Sequence, residues 1–123
     1  NDHFNFSGVG GRPALEMGAL AMNNNTRVSA HPEVWFRLVQ PQIHWPALPL
    51  GKIYSYSFAM QPAIRTEPSG SVNCSRLDSM SLELALQSEF ASSAEADAEL
   101  FIFARSFNQI CIKSGMLTLS FAS

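Results

Sequence analysis

The sequence has 123 residues, 46% of them hydrophobic and 15% charged, and a formal net charge of −2. This length fits one domain with a modest core. The weakly negative charge argues against a basic groove for nucleic acid, and no apolar run reaches membrane-spanning length. Few charges leave much of the surface neutral, which suits a protein that packs against copies of itself.

The first half of the chain shows short β-rich runs and no clear helical periodicity. The run from Leu15 to Met22 is predicted as a strand. The sequence Asn23-Asn24-Asn25 predicts a tight reversal after it, because asparagine tolerates positive φ. A second extended run is predicted from Trp35 to Gln40. Pro41 is expected to end that run and to begin an irregular connection with three prolines that reaches Pro49.

The second half alternates more clearly. From Lys52 to Met60, the side chains of Tyr54, Tyr56, Phe58 and Met60 are expected to line one face of a strand. The alternation from Met80 to Gln87 predicts a strand with one buried face.

The remaining segments also indicate strands. A long strand is predicted from Glu99 to Lys113, with a bulge or bend near residues 106–108. Gly115 is predicted to form a turn, and Leu117, Leu119 and Phe121 to form a final strand. The segment from Phe90 to Ala98 is predicted as an acidic loop.

Taken together, about seven extended segments without a convincing helix are typical of an antiparallel β-sandwich or barrel. We see no internal repeat and no linker that divides the chain. The missing initiator methionine and the abrupt start at Asn1 indicate a piece of something longer. Residues 1–123 are therefore predicted to be a single, N-terminally truncated domain.

The segment before Met80 poses a charge problem. In a regular strand, Arg76 and Asp78 would point to the same apolar face as Met80, and burial of an ion pair is costly. A one-residue bulge near Ser79 is predicted to turn Leu77 inward and the charged pair toward a polar edge.

Candidate chemistry is sparse. The histidines His3, His31 and His44 lack metal-ligand spacing, and neither a nucleophile elbow nor a phosphate-binding glycine loop is present. Cys74 and Cys111 are expected to be buried, reduced thiols. We therefore predict no catalytic residue, no cofactor and no metal site, and the chain is not expected to be an enzyme.

The segment from Glu67 to Asp78 is the most informative one. It carries Pro68-Ser69-Gly70 and then Asn73, Ser75, Arg76 and Asp78 at fixed offsets. It resembles the Gln-Pro-Ser-Gly-x-x-Asn-Phe-Ser-Arg-Ile-Asp signature near the C-terminus of the major capsid proteins of nucleocytoplasmic large DNA viruses, of the iridovirus and phycodnavirus kind.

Four further segments resemble the same family in the same order. Met22–Arg27 is similar to its Leu-Asn-Gly-x-x-Arg turn, and Trp35–Pro41 to its Tyr-Phe-Arg-Leu-Val-Gln-Pro run. Ile53–Ala59 is similar to its Ile-Tyr-x-Tyr-Ser-Phe-Ala strand, and Ala104–Met116 to the family's closing Asn-Tyr-Asn and Ser-Gly-Met motifs. The matching positions, which the resemblance implies to be structural, are Asn23, Arg27, Phe36, Pro41, Tyr54, Tyr56, Phe58, Pro68, Ser69, Gly70, Asn73, Ser75, Arg76, Asp78, Asn108 and Gly115.

The resemblance implies an all-β fold, an antiparallel jelly-roll sandwich. Members of the family have two jelly rolls in tandem, and this chain would be a partial one, comprising most of the second. It implies a structural component of an icosahedral capsid in the virion, assembled in the host cytoplasm from trimeric pseudo-hexagonal capsomers. The implied partners are two further copies in a homotrimer, neighbouring capsomers and minor capsid proteins, with no direct nucleic-acid contact. Loops 1–14, 41–51 and 62–71 are the expected contact regions because of their proline and glycine content and their positions between predicted strands.

Two alternatives stay open at this point. A carbohydrate-binding β-sandwich would present its aromatic residues on an exposed concave sheet face. An enzyme of the cupin type would need histidines that converge inside a barrel. We also expect the isolated chain to aggregate, because an incomplete jelly roll leaves at least one strand edge open.

Overall fold

The computed structural model describes residues 11–49, 51–88 and 99–121, and its regular structure is mostly antiparallel β-sheet. Strands β1 (Leu15–Met22), β2 (Asn25–Pro32) and β3 (Met80–Leu86) form one sheet in the order β2-β1-β3. Strands β4 (Ile110–Lys113) and β5 (Met116–Leu119) form a second, two-stranded sheet. No helix in this part of the chain is long and apolar enough to cross a membrane.

The β1–β2 hairpin follows from its turn residues. Asn23 and Asn24 have φ values of 50° and 61°, the left-handed pair that a two-residue hairpin turn requires. The reversal predicted there is confirmed, as is β1. Strand β2 was not predicted from the sequence, although a tight turn after a strand implies a returning partner.

The β4–β5 hairpin uses the same turn chemistry. Ser114 and Gly115 have φ values of 53° and 80°, and Lys113 pairs with Met116 across the turn. The predicted turn is confirmed, and the final strand is confirmed for Leu117 and Leu119, whereas Phe121 lies beyond the end of β5. The long strand predicted from Glu99 is wrong for residues 99–109, which form no strand, so the expected bulge near 106–108 lies outside any ladder.

The largest correction concerns Trp35 to Gln40, which is helical and not extended. A π-helix spans Trp35–Val39 and continues into helix α1, Gln40–His44, and the two together are called here the helical segment. Pro41 does not end this segment, because it lies in the first turn of α1, where proline's missing N–H costs little. The irregular connection predicted to start at Pro41 therefore begins only after His44.

The strand predicted from Lys52 to Met60 is also wrong, because this segment joins no ladder among the described residues. Its neighbour is the helical segment, and the Ser55 N–H donates to the Phe36 carbonyl at 3.0 Å. The side chains of Tyr56 and Phe58 do meet edge to face, with ring centroids 5.0 Å apart. Met60 does not share their burial and is 76% exposed.

Strand β3 is confirmed, but its predicted buried face is not. It pairs with β1 on one side, from Leu15 opposite Leu86 to Met22 opposite Met80. Its other edge has no strand partner among the described residues, and Leu82 is 45% exposed.

The buried core of the described residues is correspondingly small. Its buried apolar side chains are Leu15, Val28 and Phe36, together with the fully buried Pro41. Most apolar residues of β3, β4 and β5 remain exposed. The two cysteines are exposed free thiols, so the expectation that they are buried is wrong. The predicted acidic loop from Phe90 to Ala98 lies outside the described residues.

Candidate functional site

An open groove, called here the aromatic groove, lies between β2, the helical segment and residues 56–60, and has a volume of about 390 Å³. Trp35 dominates its wall, with its ring stacked on His31 at 4.3 Å and facing Tyr56 at 6.3 Å. The lining residues are Arg27, Val28, Ser29, His31, Trp35, Gln40, His44, Tyr56, Ser57, Phe58, Ala59 and Met60.

Phe36 fixes the helical segment against the sheet. Its side chain is only 8% exposed, and its ring lies over Gly18 of β1, where an added Cβ would meet Phe36 Cε2 at 3.0 Å. Glycine inside a strand marks such a close approach. Gly18 was therefore a readable signal that the sequence-based prediction did not use.

Only some of the polar side chains that line the aromatic groove have hydrogen-bond partners among the described residues. His44 Nδ1 lies 3.0 Å from the Met60 carbonyl oxygen. Arg27 is exposed and has no hydrogen-bond or ion-pair partner among the described residues. Gln40 is 6% exposed, and its Oε1 atom has no partner in the same part of the chain. The lining residues that the structure describes include no carboxylate.

A second polar cluster joins the helical segment to Tyr54. Glu33 is buried and forms an ion pair with Arg37, one helical turn later. Burial raises the pKa of Tyr54 to about 12, and the negative charge of Glu33 adds to this rise. Arg37 and the backbone of Leu15 act in the opposite direction. The Tyr54 hydroxyl nevertheless has no partner with hydrogen-bond geometry among the described residues.

The raised pKa of Tyr54 predicts an alkaline loss of stability. An unfolded tyrosine ionises near pH 10, whereas Tyr54 in the folded chain stays neutral until about pH 12. The contribution of Tyr54 to the free energy of unfolding is therefore fully present below pH 10 and is lost as the pH rises from 10 to 12. The chain has two tyrosines, so a tyrosinate absorbance titration of Tyr56→Phe reports Tyr54 alone. A titration midpoint near pH 10 would contradict the burial of Tyr54. The Tyr54→Phe variant should lose less stability than the unmodified chain as the pH rises from 10 to 12.

The motif residue Asn23 links the β1–β2 turn to the start of β3. Its Oδ1 accepts hydrogen bonds from the backbone N–H groups of Asp78 at 2.9 Å and Ser79 at 3.3 Å. Its own N–H donates to the Ser79 carbonyl at 2.9 Å. These three residues, the Asn23 junction, connect two motifs that lie 55 positions apart in sequence.

The segment that enters the Asn23 junction is a turn and not a bulged strand. Cys74–Arg76 is a 3₁₀-helix, and Asn73 Oδ1 accepts from the Ser75 N–H at 3.1 Å. Leu77 is half-buried, while the side chains of Arg76 and Asp78 are exposed. The bulge predicted near Ser79 is wrong, because β3 begins at Met80 and its only register shift lies opposite Leu15 and Met17.

Replacement of Asn23 by alanine should destabilise the chain by about 2 kcal/mol. The change removes a capping acceptor, a loss that typically costs 0.5–2 kcal/mol, and forces alanine into left-handed geometry. Asn24→Ala is the matched control, because Asn24 has a similar φ and no corresponding bonds, and it should cost about 1 kcal/mol. Chemical unfolding measures both. Equal effects would show that the Asn23 side-chain bonds add nothing.

The Pro68-Ser69-Gly70 motif packs against the end of the aromatic segment. Ser69 Oγ accepts from the Gln61 N–H at 2.8 Å. Gly70 has a φ of 149°, and a Cβ there would lie 2.9 Å from the Phe58 carbonyl oxygen. Pro68 is exposed beside them. Glycine is thus required at position 70 both by backbone conformation and by space.

The last motif residues stabilise the second sheet. Asn108 Nδ2 donates to the Phe121 carbonyl at 2.9 Å, and Asn108 Oδ1 accepts from the Phe121 N–H at 3.2 Å. Asn108 therefore fixes the chain just beyond the paired ends of β4 and β5, and Gly115 occupies the turn at the opposite end. The motif residues thus lie in four places: the aromatic groove and its supporting residues, the Asn23 junction, the Gly70 contact and the terminal hairpin.

The predicted contact loops are only partly described. Within the predicted loop 41–51, residues 41–44 are helical. Residues 62–71 are irregular and mostly exposed. Residues 1–10 and 50 lie outside the described part. No group of three or more His, Cys, Asp or Glu side chains in the described ranges could hold a metal ion.

Comparison with known proteins gives one consistent family. The family model for the large eukaryotic DNA virus major capsid protein matches residues 2–118. The chain is 32% identical over 113 residues to a major capsid protein of Phaeocystis pouchetii virus, covering 92% of this chain and 21% of that protein. It is 34% identical over 104 residues to one of Chrysochromulina ericina virus, covering 85% and 18%. The chain thus spans about a fifth of these relatives.

The solved structures agree on the fold. The capsid of PBCV-1 virus, described as a quasi-atomic model, matches with a TM-score of 0.70 at 25% identity, over 91% of this chain and 31% of that one. The antiparallel jelly-roll fold expected from the sequence is confirmed. Because the family model matches nearly the entire sequence, the chain belongs to the large eukaryotic DNA virus major capsid protein family.

Proposed function

We propose that this chain is the C-terminal jelly-roll portion of a protein that builds an icosahedral viral capsid. Three copies form a pseudo-hexagonal capsomer, and neighbouring capsomers and minor capsid proteins are its further partners. The protein acts in the virion after assembly in the host cytoplasm, and it is a structural component and not an enzyme.

The family match over residues 2–118 carries this proposal. The relatives reported above are capsid proteins by name, which favours a capsid role over a carbohydrate-binding module. The physical properties of the surface support the same role. Apolar side chains of β3, β4 and β5, among them Leu82, Ile112 and Leu117, are exposed, and such surfaces mark contact with other polypeptide.

The motif residues fit a structural role in the same proposal. Asn23, Gly70 and Asn108 each hold two chain segments together through backbone hydrogen bonds or close backbone packing. None of these contacts presents a reactive group to a substrate. Their function is to hold the described segments in a defined arrangement.

The full-length protein that contains this chain provides the test. Light scattering coupled to size-exclusion chromatography should give the mass of a trimer, and negative-stain electron microscopy should show particles with a pseudo-hexagonal outline. A monomer that persists at micromolar concentration would contradict the proposal.

A further inference from the structure

We propose that the aromatic groove binds an acidic peptide segment of another polypeptide, with its carboxylate at Arg27 and a neighbouring apolar side chain against Trp35 and Tyr56. This inference rests on the proposed capsid function, in which the chain contacts other proteins. It goes further because it names one surface and the chemistry of its occupant.

Charge complementarity selects an acidic occupant. Among the described residues, the lining of the aromatic groove includes the cation of Arg27 and no aspartate or glutamate. Arg27 is exposed on β2 and has no partner within the described ranges. A guanidinium group accommodates a carboxylate through two parallel N–H···O bonds. A basic segment would instead meet an uncompensated like charge.

Gln40 favours an occupant that also donates hydrogen bonds. It is more than nine-tenths buried, and its Oε1 atom accepts no hydrogen bond from any described residue. An unsatisfied buried acceptor is costly. A peptide backbone brings an N–H group at each residue, and a rotation of the Gln40 carboxamide toward the groove lets Oε1 accept from it. Sulfate and chloride have no such donor, and no inorganic anion has an apolar part to pack against the aromatic wall.

The walls and the size of the aromatic groove favour a short peptide. Trp35, Tyr56 and Phe58 form an apolar wall of the kind that receives aliphatic or aromatic side chains. A volume of about 390 Å³ lies at the small end of ligand sites, which suits two or three residues. Nucleic acid is disfavoured, because its affinity depends on several cations and the described lining residues supply one arginine.

The test uses the full-length protein and the synthetic tripeptide acetyl-Asp-Leu-Phe-amide, with binding followed by ligand-detected NMR. Acetyl-Asn-Leu-Phe-amide is the matched neutral peptide. We expect the aspartate peptide to bind at least fivefold more tightly, and Arg27→Gln to remove this difference. Arg65→Gln, a change of another exposed arginine outside the groove, should leave the difference intact.

Several results would overturn the inference. One is the absence of binding, and another is a preference for aspartate that survives Arg27→Gln. Equal displacement of the peptide by phosphate or by a single-stranded oligonucleotide would assign the site to anions in general, which also refutes a peptide site. A trimer that fails to bind the peptide refutes this inference alone, whereas loss of the trimer in the unmodified protein refutes the proposed function.

Discussion

Replacement of Gly70 by alanine should lower the free energy of unfolding by about 2–6 kcal/mol. Two costs combine. The φ of 149° at this position is one that side chains rarely adopt, and such strain costs about 1–3 kcal/mol. The new Cβ would also lie 2.9 Å from the Phe58 carbonyl oxygen and 3.3 Å from Ala59 Cα, and relief of overpacking against backbone costs a further ~1–3 kcal/mol.

Gly115→Ala is the matched control for Gly70. Gly115 also has a positive φ, 80°, but a Cβ there would meet nothing within 4 Å. It should therefore cost only about 1 kcal/mol, the cost of left-handed backbone. Chemical unfolding of both variants separates conformational strain from steric contact. A Gly70→Ala variant no less stable than Gly115→Ala would show that residues 58–59 do not approach Gly70 as described.

Replacement of Phe36 by alanine should destabilise the chain by about 3–5 kcal/mol, the usual range for a buried phenylalanine. Phe36 is one of the few buried apolar residues described, and its ring covers Gly18. Its loss leaves a cavity that glycine cannot fill, so the helical segment loses its attachment to β1. Thermal or chemical unfolding gives the size of the effect.

Phe103→Ala is the control for Phe36, because Phe103 is 81% exposed and the same chemical change should alter the isolated chain by less than about 0.5 kcal/mol. An equal effect at positions 36 and 103 would mean that Phe36 is not a core residue of this fold.

Local turn chemistry explains which parts of the fold were predictable. The Asn23-Asn24 and Ser114-Gly115 turns require positive φ, and residue type alone reveals such positions. Strand β3 was predictable for a similar reason, since its two-residue alternation is a property of the segment itself. The resemblance to the capsid family identified Asn23 and Gly70 before their contacts were known.

The failures have non-local causes. Trp35 to Gln40 was predicted as extended, partly because Pro41 reads either as a terminator or as a first-turn helix residue. Packing of Phe36 on Gly18 accompanies the helical outcome, and such a contact is not visible within the segment. The 52–60 segment alternates as a strand does, yet hydrogen-bonds to the helical segment in place of a strand.

The same limit applies to the candidate site. The contact between Asn23 and Asp78 spans 55 positions, and no local pattern reports it. The aromatic groove combines β2, the helical segment and residues 56–60, two of which were assigned to the wrong structure. Gln40 therefore could not be recognised in advance as a buried acceptor.

The surfaces of β3, β4 and β5 link the fold to the proposed function. Isolated two-stranded hairpins are marginally stable, and the β4–β5 hairpin exposes Ile110, Ile112, Leu117 and Leu119. Burial of apolar surface contributes about 25 cal/mol per Å², so contact with other polypeptide should stabilise this hairpin strongly. The aggregation expected of the isolated chain has a different origin, an open strand edge such as that of β3, which has no second strand partner among the described residues.

A cryo-electron microscopy structure of particles assembled from the full-length protein would test the central claim most directly. We expect residues 11–121 to form a jelly-roll portion in each copy of a trimer, with Leu82, Ile112 and Leu117 covered by other polypeptide. Complete particles in which these three side chains face solvent would contradict it.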